Sequence, residues 1–147
     1  MDTGQLAQLV FAHLQRLHRT ELMQSFRELG SGELAVLSYL CYERDGATAG
    51  ELSAAFGVGT SRITAVLHSL EKKGLARRQS DLHDGRRVLV CLCPEGRALA
   101  EERHRETLGN TRRFLETLEE ADAAALLRIL QKAAQQSAAG GHNGKSA

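Results

Sequence analysis

From Gln5 to Leu29 the chain reads QLAQLVFAHLQRLHRTELMQSFREL, with stripe positions at Leu6, Leu9, Val10, His13 or Leu14, and Leu17. That spacing predicts a helix with one buried stripe, broken at ELGSG. Ser31 offers an N-cap for a second helix, GELAVLSYLCYERDG, with Leu34, Leu37, Leu40 and Cys41 inward and Gly46 as its stop. Thr48-Ala-Gly-Glu51 fits a capping box, in which hydroxyl and carboxylate each satisfy the other residue's backbone N–H. The short helix ELSAAF follows and ends at Gly57. A GVG turn then leads into TSRITAVLHSLEKKGL, whose inward positions are Ile63, Val66, Leu67 and Leu70. Gly74 is placed as a left-handed helix stop, with Leu75 folding back beyond it.

Past this point the period changes from 3.6 to 2. Val88, Val90 and Leu92 alternate with Leu89, Cys91 and Cys93, and Asp84-Gly85 ahead of them is a hairpin signal. Pro94 suits the first position of a long charged helix over 94–118. EEADAAALLRILQKAAQQ reads as a last helix, and the small polar tail as disordered. The fold class is therefore mainly α: a winged helix-turn-helix, with a two-stranded β-hairpin as wing, between N- and C-terminal helices. The predicted segments are 1–30, an N-terminal helix; 31–93, the winged module; 94–137, the C-terminal helices; and 138–147, the tail. The outer helices carry more apolar residues (Leu108, Phe114, Leu115, Leu118, Leu126, Leu127, Leu130) than a small winged module can cover, and a second copy is the simplest partner.

Composition narrows this little: 147 residues, 42% hydrophobic and 25% charged, suit one ordinary domain. No apolar run approaches the roughly 20 residues of a membrane span. The first residues lack a signal peptide's basic start and apolar stretch, so a cytoplasmic location with Cys41, Cys91 and Cys93 reduced is expected. Charge is more telling once divided along the chain. Residues 1–59 hold four Lys/Arg against seven Asp/Glu, residues 60–90 seven against three, and residues 91–147 eight against eight. The positive charge is gathered in one segment, as in a nucleic-acid footprint on a neutral scaffold.

Within that segment, SDLHDGRR (Ser80 to Arg87) could be metal-ligand chemistry or a wing tip. A divalent ion wants four to six donors. The remaining histidines form no HxxxH or HExxH pair, and no Ser-His-Asp or P-loop spacing occurs. A metal-dependent phosphohydrolase is thus the weakest alternative, and no enzyme activity or cofactor is expected. A protein-binding winged module without DNA contact is another alternative, against which the positive segment argues.

GELSAAFGVGTSRITAVLHSLEKKGLARR and SDLHDGRRVLVCLCPEG, within a match from about Leu29 to Gly96, resemble the MarR family of bacterial transcriptional regulators. That family's wing pattern is D-x-R-D-x-R, then a strand, Leu-Thr and a Gly. Asp81, Asp84 and Arg86 fall on it; His83 stands where Arg is usual, and Cys93 where Thr is usual. The resemblance implies a homodimer held by the outer helices, with two winged modules on one palindromic operator in double-stranded DNA. It also implies release by a small aromatic effector; Phe11, Phe26 and Tyr39 could border such a cleft and serve equally well as core.

In that reading the second helix of the helix-turn-helix shows Ser61, Arg62, Thr64, Ala65 and His68 to the major groove. Arg62 is the candidate for a bidentate base contact. Thr60, Ser61 and Thr64 suit phosphates or thymine methyls, with N-capping an equal alternative for Thr60 and Ser61. Arg86 and Arg87 at the far end of the hairpin suit the minor groove, Asp81 and Asp84 bracing them and capping the turn. Lys72, Lys73, Arg77 and Arg78 are phosphate contacts or solvated charge. Cys93, ahead of the long helix, raises the alternative of a thiol-based redox regulator of the same fold; filling small buried spaces is the simpler role for all three cysteines.

His83 generates a prediction of its own. An imidazole is only partly charged near neutrality, where a guanidinium is fully charged. His83→Arg should tighten operator binding. Fluorescence anisotropy on a labelled operator checks this; an unchanged affinity in the variant refutes it.

Overall fold

Seven helices and one hairpin make up residues 1–140, the part of the chain that the computed structural model describes. They are α1 (Thr3–His18), α2 (Glu21–Leu29), α3 (Gly32–Tyr42), α4 (Ala49–Phe56), α5 (Thr60–Lys72), β1 (Ala76–Ser80), β2 (Val88–Leu92), α6 (Pro94–Glu116) and α7 (Glu120–Gly140). Among the described residues two compact units result, Met1–Asn110 and 111–140. The first holds α1 to β2 and most of α6; the second holds the end of α6 and α7.

The core of the first unit is aliphatic. Leu37 and Leu40 of α3, Leu52 of α4, Leu67 and Leu70 of α5 and Val90 of β2 are almost wholly removed from solvent. Each such side chain contributes about 1.5–3 kcal/mol on burial. Predicted inward positions Leu34, Cys41 and Val66 are half-buried at its margin.

Local signals set the helix ends. The Thr48–Glu51 capping box is complete: Glu51 N donates to Thr48 Oγ1 at 3.1 Å and Thr48 N to Glu51 Oε2 at 3.2 Å. At the end of α5, Gly74 takes φ +72°, Leu75 N donates to Leu70 O and Gly74 N to Glu71 O. That paired pattern closes the last turn and sends the chain straight into β1.

Several expectations change. The first predicted helix is two, because the Thr20 hydroxyl donates to Leu17 O at 2.6 Å and Thr20 caps α2, which interrupts the backbone ladder. The Arg27 guanidinium also donates to the His18 carbonyl. Nor is the α1 stripe buried within this chain: Leu6, Leu9, Val10, Phe11 and Leu14 are about half exposed or more. Ser31 stands at the N-cap of α3, yet its hydroxyl donates backward to Arg27 O at 2.8 Å and caps nothing. Of the tail, residues 138–140 are helical as the end of α7; the rest of that expectation lies outside the described residues.

β1 and β2 pair antiparallel from Ala76↔Leu92 to Ser80↔Val88. Their connection runs from Asp81 to Arg87, longer than a two-residue Asp-Gly turn. Gly85 has no positive φ, and Asp84 to Arg87 form a turn closed by Arg87 N to Asp84 O at 3.0 Å. A second backbone bond, Asp81 N to Arg87 O at 2.9 Å, shuts the loop. The hairpin is fixed to the core by an isolated β-bridge at Ala47 that periodicity does not show. Val90 N donates to Ala47 O at 2.7 Å and Gly46 N to Val90 O at 3.1 Å, while Leu92 N donates to Asp45 Oδ1 at 2.9 Å.

Glu33 ties α3 to the end of α5. Lys73 Nζ lies 2.7 Å from its Oε2, and the Ser69 hydroxyl donates to its Oε1. The Lys73 bond first, and the Ser69 bond second, hold the Glu33 carboxyl below its ordinary value of 4.5. A depressed carboxyl adds stability above its unfolded-state pKa, and the gain is lost as pH falls through the folded value.

Two outcomes follow for stability. A Cβ at Gly96 would sit 2.0 Å from the Leu75 carbonyl oxygen, the acceptor of Cys93 N–H. Gly96→Ala should therefore cost about 1–3 kcal/mol in urea unfolding, whereas at Gly50 an added Cβ meets nothing nearer than 3.9 Å and costs little. In thermal melts across pH, the deficit of Glu33→Gln against wild type should be constant above about pH 5 and shrink below it.

Candidate nucleic-acid interface

Because Ile63, Leu67 and Leu70 turn into the core, the opposite side of α5 is forced outward. Ser61, Arg62, Thr64, Ala65 and His68 are all exposed along that side, the placement read from the sequence. Thr60 is exposed at the first turn. The N-cap is Gly59 and no side chain caps α5, so Thr60 and Ser61 do not have the capping role. Leading N–H groups of the helix and both hydroxyls thus face outward, where a helix dipole attracts an anion. Thr64 Oγ1 donates to Thr60 O at 2.8 Å, leaving its methyl group and an acceptor lone pair for any partner.

Carboxylates divide the seven cations of residues 60–90 into two groups. Lys73 pairs with Glu33 at 2.7 Å, Arg78 with Glu71 at 2.8 Å and Arg87 with Glu51 at 2.7 Å. Arg62, Lys72, Arg77 and Arg86 are exposed and have no ion-pair partner among the described residues. The free charge is thus narrower than the sequence suggests, at the start of α5, its last turn, β1 and the loop.

The loop also departs from the expected bracing. Asp81 Oδ1 accepts His83 N–H at 3.0 Å and Asp84 Oδ1 accepts Arg86 N–H at 3.1 Å, so both carboxylates cap the loop's own backbone. Neither is paired with an arginine; Glu51 of α4 takes Arg87 instead. Among the described residues no group of three His, Cys, Asp or Glu is arranged to hold a metal ion. His83 and Arg86 are exposed, and Arg87 is half-buried at the loop's base. Leu82, which drew no attention as sequence, is 98% exposed at the tip.

Cys93 is half-buried, its N–H donating to Leu75 O and its carbonyl accepting Arg97 N–H, both at 3.0 Å. Cys91 is buried, and burial, then the Asp45 charge, pushes its thiol above the ordinary value. Cys41 is half-buried, 3.6 Å from Arg97 Nη1. Among the three aromatic candidates, Tyr39 is half-buried against the core, edge-on to Phe56 at 5.7 Å, while Phe11 and Phe26 lie on the surface. No helix among the described residues is long and apolar enough to cross a membrane.

Missed residues are acidic. Glu33 and Glu51 decide which cations are free, and neither lies in the basic segment. Only the capping-box motif hinted at Glu51, and for its backbone role alone.

Comparison with known proteins agrees with this geometry. Residues 29–87 match the sequence profile of the MarR family. A MarR family protein from Bacillus stearothermophilus is 26% identical over 94% of this chain and 99% of its own, with a TM-score of 0.76. The YusO protein from Bacillus subtilis is also 26% identical, over 92% of this chain and 99% of its own, at 0.72. FabT from Streptococcus pneumoniae, solved in complex with DNA, shares the fold at 18% identity over 91% and 96% of the two chains, at 0.70. The search of curated proteins finds no match. With the profile matched across the helix-turn-helix and into the wing, and likeness to MarR-type folds over most of its length, this chain is similar to the MarR family.

Proposed function

We propose that the chain is a sequence-specific double-stranded DNA-binding transcriptional regulator, a repressor working as a homodimer on a palindromic operator. The observation that carries this is the outward face of α5. One side of the helix is sealed into the core, and the other presents Ser61, Arg62, Thr64, Ala65 and His68 with an unpaired guanidinium among them. Such a face fits the major groove, with Arg62 in reach of a guanine edge. Lys72, Arg77 and the α5 N-terminus supply phosphate contacts, and Arg86 with His83 serves the minor groove. Lys73 is reassigned to holding α3 and α5 together.

Support for the homodimer comes from α1. Its exposed Leu6, Leu9, Val10, Phe11 and Leu14 form an apolar stripe that a second copy would cover. Two-fold symmetry then sets the half-sites about one helical turn, roughly 34 Å, apart. Release by a small aromatic effector belongs to the same reading, as does a cytoplasmic location.

The test is selection of duplexes from a randomised pool by the purified protein, followed by anisotropy titrations across salt. A palindromic consensus should emerge, with log Kd moving about 0.9 per neutralised phosphate per decade of salt. Arg62→Ala should erase preference at one base pair in each half-site, worth about 1–3 kcal/mol. Failure to enrich any sequence, with a salt slope near zero, overturns the proposal.

A further inference from the structure

Residue 87 is where the wing loop closes. Its N–H donates to Asp84 O and its carbonyl accepts Asp81 N–H, so its backbone is spent on holding the loop shut. Its side chain reaches outside the hairpin: Arg87 Nη2 lies 2.7 Å from Glu51 Oε1. The same carboxylate accepts Thr48 N–H through Oε2 at 3.2 Å, with Arg44 Nη1 at 3.8 Å. Glu51 is thereby fixed to the first turn of α4 before it meets the wing.

Elsewhere the hairpin is held only nearer its base. Ala47 bridges Val90, Asp45 accepts Leu92 N–H, and Arg78, opposite Val90, pairs with Glu71 of α5. Beyond the Val90–Arg78 level, Arg87 to Glu51 is the only side-chain hydrogen bond or ion pair between the hairpin and the helix-turn-helix among the described residues. It is the polar tie that this outer part of the hairpin, Gln79 to Leu89, has to α4.

We infer that the Glu51–Arg87 ion pair is a latch that sets the angle of the wing against α4, which makes Arg87 and Glu51 positioning residues and leaves Arg86 as the wing's DNA-facing arginine. This rests on the DNA-binding reading and adds to it. A latch holds the wing tip where both half-site grooves and flanking minor grooves are met together. Arg87, already neutralised by Glu51, releases no counterion from DNA and contributes nothing to the salt slope.

The full-length protein on its selected operator tests this with Arg87→Ala, Glu51→Gln, the double variant, and Arg86→Ala. Glutamine retains the capping-box bond of α4, so Glu51→Gln removes the charge partner while the helix start is kept. Expected is a loss of about three- to fivefold for Arg87→Ala and for Glu51→Gln, the scale of a half-exposed ion pair, with the salt slope unchanged. The double variant should lose no more than either single one. Hydroxyl-radical protection should fade at the operator flanks in all three and persist in the central major grooves. Arg86→Ala should instead lower the slope by about one per subunit.

Losses that add in the double variant overturn the latch. So does a reduced salt slope in Arg87→Ala combined with tighter binding by Glu51→Gln, which makes Arg87 a phosphate contact that Glu51 competes for. In both cases wild-type binding and the Arg62→Ala defect stand, and the DNA-binding reading survives. A wild-type protein without salt-dependent binding overturns both together.

Discussion

Ile63, Leu67 and Leu70 of α5 are sealed into an aliphatic core with α3, α4 and β2, and the placement of every outward residue follows from that seal. Turning the helix far enough to hide Arg62 would bring leucines into water at about 1.5–3 kcal/mol each. No single polar contact in the unit offers a comparable return. The face with Arg62 and His68 is therefore held outward by burial on the other side, and the Thr64 hydroxyl on it bonds only within α5. The Gly74 turn then starts β1 directly after α5, which is why wing and helix lie in one short stretch of chain.

Carboxylates do the second sorting. Glu33, Glu71 and Glu51 each take one cation of the basic segment, and the cations they leave are spread over α5, β1 and the loop. These pairs are half-exposed, so their worth lies more in fixing geometry than in stability. Glu33 joins α3 to α5, Glu71 joins α5 to β1, and Glu51 joins α4 to the base of the loop. Together they tie the elements of a winged module to one another along its charged side.

Much of this was legible in the sequence, because helix ends and helix faces are local matters. The capping box at Thr48–Glu51, the Gly57 and Gly74 stops and the exposed face of α5 all stand where spacing placed them. The break at Thr20 was missed because an apolar stripe runs on across a two-residue interruption. The hairpin turn was misjudged because Asp-Gly marks a turn without stating the length of the loop that holds it. Bracing of Arg87 was assigned to its neighbours Asp81 and Asp84; their carboxylates reach the loop's own N–H groups first, and Glu51 faces Arg87 across the fold.

By itself the sequence determined the order of elements, the module they form and which side of α5 meets solvent, since each depends on residues within a few turns of one another. Tertiary structure alone decided which cations are free, how the wing is anchored at Ala47 and Val90, and why Gly96 must lack a side chain beside Leu75. Apart from Glu71 and Arg78, those partners lie about twenty to forty residues apart in sequence and meet only when the elements close around one core. Residue spacing carries no information about such meetings, whereas burial and charge, summed over the whole fold, settle them.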